Sequence, residues 1–160
     1  MDLGRQLESS ADEGALLAAL AEGARGMLPF GACALGVKDG SGSWVVWRAP
    51  AGRPEMMTVL TAVPEAATSI LDRFLHLDQP LVIADLLAPP WRDTNHREVL
   101  WKTGTRSALL LPLVAAGQTH GILAFTAFQP DAYEQTDLAF ARFVAWLVAL
   151  TLKCGMMNDE

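Results

Sequence analysis

Two adjacent apolar runs constrain this chain more than any other feature. Within RSALLLPLVAAGQTHGILAF, residues 106–125, the run SALLLPLV and the start of HGILAFTAF are separated by AAGQT. Short runs that are apolar at nearly every position are typical of strands buried on both faces. AAGQT has the length and composition of a hairpin loop of about five residues. We therefore predict two central antiparallel strands, covered by helices on both sides.

Two residues in these strands carry a further prediction. Pro112 has no N–H to donate, so we expect it at a strand end or with its nitrogen side unpaired. Gly121 opens the second strand and predicts a bulge or a close approach of another backbone.

The rest of the chain reads as alternating helices and strands. Ser10 and Glu13 have the spacing of a capping box and predict the start of a first helix. Strands are predicted at ACALGVK and WVVWRA around a turn, then at MMTVLTAV and LVIA. Pro64 starts a second helix, residues 95–101 form a short third, and residues 135–153 form the last. This order predicts an α/β (α+β) fold with helices covering an antiparallel sheet.

Composition limits the classes of partner. The chain has 160 residues, which fits a single domain over 1–160, and a formal net charge of −6. Lysine and arginine form no basic stripe, so we expect neither nucleic acid nor membrane as a partner. The N-terminus has no signal-peptide pattern and there are two cysteines, which predicts a cytoplasmic protein. The apolar segment 138–152 contains Arg142 and is too short to span a bilayer.

The second half of the chain resembles a GAF domain. The apolar strand in PLVIADL ends at an acidic residue, and TGTRSALLLPL contains a Gly-x-Arg-Ser strand that runs to Pro-Leu. A Gly-apolar-Leu strand follows, and then a helix that begins after an aromatic residue. The matching residues are Asp85, Gly104, Arg106, Ser107, Pro112, Leu113, Gly117, Gly121, Leu123, Tyr133 and Asp137. The first half fits the family less distinctively.

The resemblance implies a fold and a function. GAF domains have a six-stranded antiparallel sheet, with the first and last helices on one face and a ligand pocket under loops and short helices on the other. They are sensory and regulatory modules that act on an output domain such as a kinase, cyclase or transcriptional activator, none of which is in this sequence. Dimers through the terminal helices are common in the family.

Candidate ligand-binding residues follow from this layout. The segment 86–104 would cover the pocket, where we expect Trp91 and Trp101 as walls and Arg92 or His96 on a polar group. The alternative is that these tryptophans close the core and the charges face solvent. Further candidates are Trp47, Asp85, Ser107 and Leu109. Trp44 and Trp47 must lie on opposite faces, and we place the alternating set of Ser107 and Leu109 towards the pocket. The alternative for Ser107 is a hydroxyl bonded to nearby backbone.

No cofactor or catalytic group is indicated. The histidines have no metal-ligand spacing, and no cysteine lies where a bilin would attach. His96 is the best placed candidate for the axial ligand of a haem, but a single histidine in a loop is weak support for haem binding. The cyclic-nucleotide signature of the family is absent, and the ligand remains unidentified. One branch with this fold reduces free methionine sulfoxide with clustered cysteines, but Cys33 has no evident partner thiol.

The last helix has more apolar surface than one sheet can cover. We predict that it forms a homodimer interface through Phe140, Phe143, Trp146, Leu147 and Leu150. The alternative is that the first helix covers this surplus within one subunit. The sequence therefore favours a sensory ligand-binding module without catalytic activity. The alternatives are a dimerisation scaffold without a ligand, and a thiol-based reductase.

Overall fold

A computed structural model describes most of the chain. The described residues are 2–24, 28–38, 41–61, 71–76, 79–88, 104–115, 117–134, 136, 138–139, 141–146 and 148–149. All structural statements below concern these residues.

The first helix, α1, spans Asp2–Ala24. The predicted start at Ser10 is therefore wrong. Residues 2–9 include neither proline nor a β-branched residue, and the single glycine, Gly4, costs only about 1 kcal/mol in a helix, so the helix continues before Ser10. A Ser-x-x-Glu spacing marks a helix start only where the preceding residues leave the helix.

Six strands form one antiparallel sheet. They are β1 (Ala32–Lys38), β2 (Trp44–Pro50), β3 (Thr58–Leu60), β4 (Leu81–Ile83), β5 (Ser107–Ala115) and β6 (Gln118–Ala127), with a 3-10 helix at Pro54–Met56 before β3. The order across the sheet is β3-β2-β1-β6-β5-β4. This confirms the predicted fold class. The helix expected after Pro64 is seen at 71–74, and the last helix at 138–139, 141–146 and 148–149; the predicted helix 95–101 lies outside the described residues.

The central hairpin is tighter than predicted. Ala115 pairs with Gln118, so the connection consists of residues 116–117 rather than five residues. Gly117 has a φ of +77°, which glycine adopts without strain and which two-residue loops require. Polar residues at the tip extend β6 because the end of an exposed hairpin does not require apolar side chains.

Gly121 has the close backbone contact that the sequence predicted. A Cβ at this position would lie 2.5 Å from the carbonyl oxygen of Gly36 on β1. The register of β5 and β6 also shifts beside it, because Leu113 pairs with Gly121 while Val114 pairs with Thr119. The residue left over is His120, so a bulge and a close approach occur together.

The two faces of the sheet carry separate cores. One cluster joins α1 and the last helix to the sheet, through Leu17 and Ala21 on one side and Ala145 and Val148 on the other. The second cluster, on the opposite face, contains Trp44, Phe74, Ile83, Leu86, Ala108, Leu110 and Ile122. Both terminal helices therefore pack on the same face, and the segment around 71–75 packs on the other.

Candidate functional site

β1 and β6, the two middle strands of the sheet, carry small residues on the face away from the terminal helices. Ala34 on β1 pairs with Ala124 on β6, and Gly36 lies two residues further along β1 on the same face. We call Ala34, Gly36 and Ala124 the small-residue strip. On the opposite face the same strands carry Leu35 and Phe125, both buried in the helix-side core. At these positions of β1 and β6 the smaller side chains therefore lie on the face where the family resemblance implies a pocket.

A cation and a polar network border this strip. Arg48 pairs with Ala34, so its side chain starts from the same face, and it is half-buried. Further along, Trp44 Nε1 donates a 2.8 Å hydrogen bond to Asp72 Oδ1. Lys38 Nζ lies 3.1 Å from the same oxygen and 5.6 Å from the Trp44 ring centroid. Trp44, Lys38 and Arg48 were not among the predicted site residues.

The Asp72 carboxyl is held ionised by this network. The hydrogen bond from Trp44 and then that from Lys38 lower its pKa below the usual value for aspartate. The network fixes the buried Trp44 indole at one end of the strip. The alternation in WVVWRA could have indicated one tryptophan on this face, but not which one.

Trp47 and Leu109 lie on the opposite face from the one predicted. Both are buried in the core beneath the terminal helices, where Trp47 lies against Gly14 of α1. Their placement towards the pocket is therefore wrong. The strands are apolar on both faces, so alternation separates the two sets of side chains without showing which set meets the helices. Trp44 and Trp47 do lie on opposite faces, as predicted.

Ser107 and Asp85 make contacts within the protein. Ser107 shares the face of Leu109, and its hydroxyl donates a 2.7 Å hydrogen bond to the carbonyl oxygen of Gln129, the alternative considered from the sequence. Arg106 donates to Asp85 through Nε and Nη2, at 3.1 Å each. The Leu87 amide donates to Asp85 Oδ1 at 3.0 Å. These contacts join the end of β4 to the start of β5, which gives the Asp and Gly-x-Arg-Ser motifs a structural role.

The ion pair between Asp85 and Arg106 shifts both pKa values so that the charged form of each side chain is favoured. The hydrogen bond from Arg106, and then that from the Leu87 amide, lower the pKa of Asp85. The Asp85 carboxylate in turn raises the pKa of Arg106. The pair therefore stays fully charged at neutral pH.

Four of the predicted ligand-binding residues cannot be placed. Trp91, Arg92, His96 and Trp101 lie outside the described residues. Their proposed role stays a prediction. No group of three or more His, Cys, Asp or Glu side chains in the described part of the chain could hold a metal ion.

The last helix exposes an aromatic pair. Phe143 is 54% exposed and Trp146 is 50% exposed, and their ring centroids are 6.2 Å apart. The opposite side of this helix is buried against the sheet through Ala141 and Ala145. Phe140, Leu147 and Leu150, the other predicted interface residues, lie outside the described residues. Nowhere in the described ranges is a helix long and apolar enough to cross a bilayer.

Cys33 and Tyr133 are titratable groups inside the helix-side core. Burial raises the pKa of the Cys33 thiol to about 12. Burial, and secondarily the charge of a Cys33 thiolate, also raise the pKa of Tyr133. The Tyr133 hydroxyl is buried and has no hydrogen-bond partner within the described part of the chain.

Comparison with known proteins assigns the family. The chain matches the profile of the GAF domain over residues 12–152. This chain belongs to the GAF domain family. No curated protein sequence matches it at a significant level.

Several solved structures have the same fold at low sequence identity. The GAF domain of a two-component sensor histidine kinase from Bacillus halodurans is 13% identical, with a TM-score of 0.57, covering 86% of this chain and 91% of that one. The red/green cyanobacteriochrome NpR6012g4, in its red-light-absorbing state, is 14% identical, with a TM-score of 0.62 and coverages of 93% and 99%. The free methionine-R-sulfoxide reductase from Neisseria meningitidis, solved with its substrate, is 16% identical, with a TM-score of 0.57 and coverages of 88% and 76%.

Proposed function

We propose that this GAF domain is a sensory module that binds a small molecule on the sheet face opposite its terminal helices. The observation that carries the proposal is the small-residue strip of Ala34, Gly36 and Ala124. It keeps the side-chain volume on this face of β1 and β6 low. Trp44 and Leu71 cover its Gly36 end, where an added Cβ would lie 3.6 Å from each, so the proposed site lies over Ala34 and Ala124. Sensor domains among the related structures are consistent with this role.

The residues around the strip suggest how a ligand would be held. The alanines form an apolar floor, and Arg48 supplies a cation at its side. Trp91, Arg92, His96 and Trp101 are proposed to complete the site from the covering segment. Because binding sites are mostly apolar with a few placed polar groups, this combination suits a small, partly apolar molecule with a negative or hydrogen-bonding group.

Native mass spectrometry of the protein purified under gentle conditions tests this proposal directly. We expect a mass above that of the polypeptide, which identifies the class of the retained molecule. The variant Ala124→Leu fills the strip and should abolish that extra mass. Ala19→Leu, which adds the same volume on the exposed side of α1, is the matched control. No extra mass in the wild-type protein, together with no thermal shift across a metabolite panel, would favour a scaffold without a ligand.

We further propose a homodimer through the last helix, centred on Phe143 and Trp146. Two large aromatic side chains that are half-exposed on one helix are unusual on a monomer surface. A charge at Phe143 should separate the subunits, so Phe143→Asp is expected to halve the mass measured by light scattering. Met56→Asp alters a side chain that is 57% exposed elsewhere and should leave the dimer intact. A monomeric wild-type protein would refute this interface.

A thiol reductase is the second candidate function, because one related structure is a methionine sulfoxide reductase. Cys33 is poorly suited to this chemistry, since burial keeps its thiol protonated near neutral pH. Cys154 lies outside the described residues. Methionine sulfoxide reduction that is lost in Cys33→Ser would establish the enzyme. We propose instead that the chain is one cytoplasmic, non-catalytic domain over 1–160 that signals to an output domain.

A further inference from the structure

A groove lies on the outer edge of β5, away from the small-residue strip. β4 is short and pairs with β5 only through Ala108–Leu110, so β5 continues past the end of its neighbour. Leu111, Pro112 and Val114 lie in this continuation and form one wall, with Pro80 at the entrance to β4. Because Pro112 has no N–H, this edge is poorly suited to pairing with another strand. The edge is therefore suited to side-chain contacts rather than to strand addition.

The last helix forms the other wall. Arg142, Ala145 and Trp146, which are three and four positions apart along the helix, line a groove of about 240 Å³ at the boundary between the buried and exposed sides of the helix. Trp146 contributes an aromatic surface, and half of its area remains exposed. The volume lies below the range of about 300–1,000 Å³ that is typical of drug-sized ligands, so the occupant is small.

Arg142 is the charged group of this groove, and its guanidinium makes few hydrogen bonds within the described part of the protein. Its Nη2 donates to Gln79 Oε1 at 3.5 Å, which is long for a hydrogen bond. No described carboxylate pairs with it. A guanidinium presents its donors in a planar fork that matches a carboxylate. The groove thus combines an apolar floor, an aromatic wall and a cation with donors to spare.

We propose that this groove binds a small carboxylic acid with an aromatic or branched apolar body. The apolar part lies between β5 and Trp146, and the carboxylate accepts hydrogen bonds from Arg142. The inference is independent of the proposed site on the small-residue strip, because the groove lies at the helix-side edge of the sheet. The lining of the groove comes from one subunit, but Trp146 also belongs to the proposed dimer interface, so a dimer would compete with the ligand for this side chain.

Fluorine NMR of the full chain labelled with 5-fluorotryptophan tests the proposal, with phenylacetate as the probe. The five tryptophans give separate signals, and Trp146→Phe assigns the signal of interest. We expect phenylacetate to shift the Trp146 signal saturably, with half-saturation on the order of millimolar, as suits so small a ligand. The signals of buried Trp44 and Trp47 should not move. The neutral analogue phenylacetamide should bind at least about tenfold more weakly, because it cannot pair with the cation.

Variants separate the charge of the groove from the net charge of the protein. Arg142→Gln should weaken phenylacetate binding about tenfold, while Arg142→Lys should retain part of it. Arg53→Gln removes the same charge from an exposed residue elsewhere and should change nothing. Phe143→Asp, which should free Trp146 from a dimer interface, is expected to bind phenylacetate at least as tightly as the wild type. A Trp146 signal that does not move in Phe143→Asp, equal binding of phenylacetamide, or unchanged affinity in Arg142→Gln would each overturn the proposal.

Discussion

Replacing Tyr133 by phenylalanine should stabilise this protein, although the same change usually destabilises a buried tyrosine. The Tyr133 side chain is 2% exposed, and its hydroxyl has no hydrogen-bond partner among the residues that the structure describes. Burying an unpaired polar group costs about 1–3 kcal/mol. Phenylalanine keeps the ring, so the substitution leaves almost no cavity. We expect a gain of about 1 kcal/mol or more in the free energy of unfolding.

Urea unfolding followed by circular dichroism measures this gain. With a urea dependence of about 2 kcal/mol per molar, a gain of about 1 kcal/mol raises the midpoint by about 0.5 M at unchanged slope. Ser107→Ala is the matched control, because its buried hydroxyl is bonded to the carbonyl oxygen of Gln129. That variant should lose about 1 kcal/mol. A lower midpoint for Tyr133→Phe would refute the reasoning, since it would show that the hydroxyl is satisfied in solution.

Three further predictions concern pH and packing. The folded-state pKa of Cys33 is raised from 9.0 to about 12, so its contribution to stability is complete below about pH 9 and is lost as the pH rises towards 12. In Cys33→Ala the thermal unfolding midpoint should therefore decrease less between pH 9 and pH 12 than it does in the wild type. The pKa of Asp85 is lowered, so the stability from its pair with Arg106 is present above about pH 4 and is lost as the pH falls through the folded-state pKa. The difference in thermal unfolding midpoint between the wild type and Asp85→Asn should therefore become smaller below about pH 4. Gly121→Ala places a Cβ 2.5 Å from a backbone oxygen and should cost about 1–3 kcal/mol in urea unfolding.

Each of these three has a contrary outcome. If the thermal midpoint of Cys33→Ala decreases at alkaline pH as much as that of the wild type, this thiol is not the group that titrates. A constant gap for Asp85→Asn down to low pH would mean that the pair contributes no charge-dependent stability. Gly23→Ala is the control for Gly121, since a Cβ there meets no atom within 4 Å and should stabilise α1 by about 0.5–1 kcal/mol. Equal effects at the two glycines would contradict the close contact at Gly121.

The sequence alone determined the elements and the family. Runs of strand-like residues predicted β1 and β5, and proline and glycine within the central hairpin predicted the unpaired edge and the bulge. These features are local: they depend on backbone geometry and on the period of the side chains, which the sequence states directly. The order of the motifs from Asp85 to Tyr133 was enough to indicate a GAF domain.

Only the tertiary structure decided which way the strands face. A strand that is apolar on both sides gives two equivalent sets of side chains, so Leu109 and Trp47 were placed towards the pocket when they pack beneath the helices. The partners of Asp85 and Ser107 depended on contacts between segments distant in sequence. Contacts between distant segments also decide that the Tyr133 hydroxyl meets no hydrogen-bonding group in the described ranges. Periodicity determines what alternates, whereas packing between elements determines what each side chain meets.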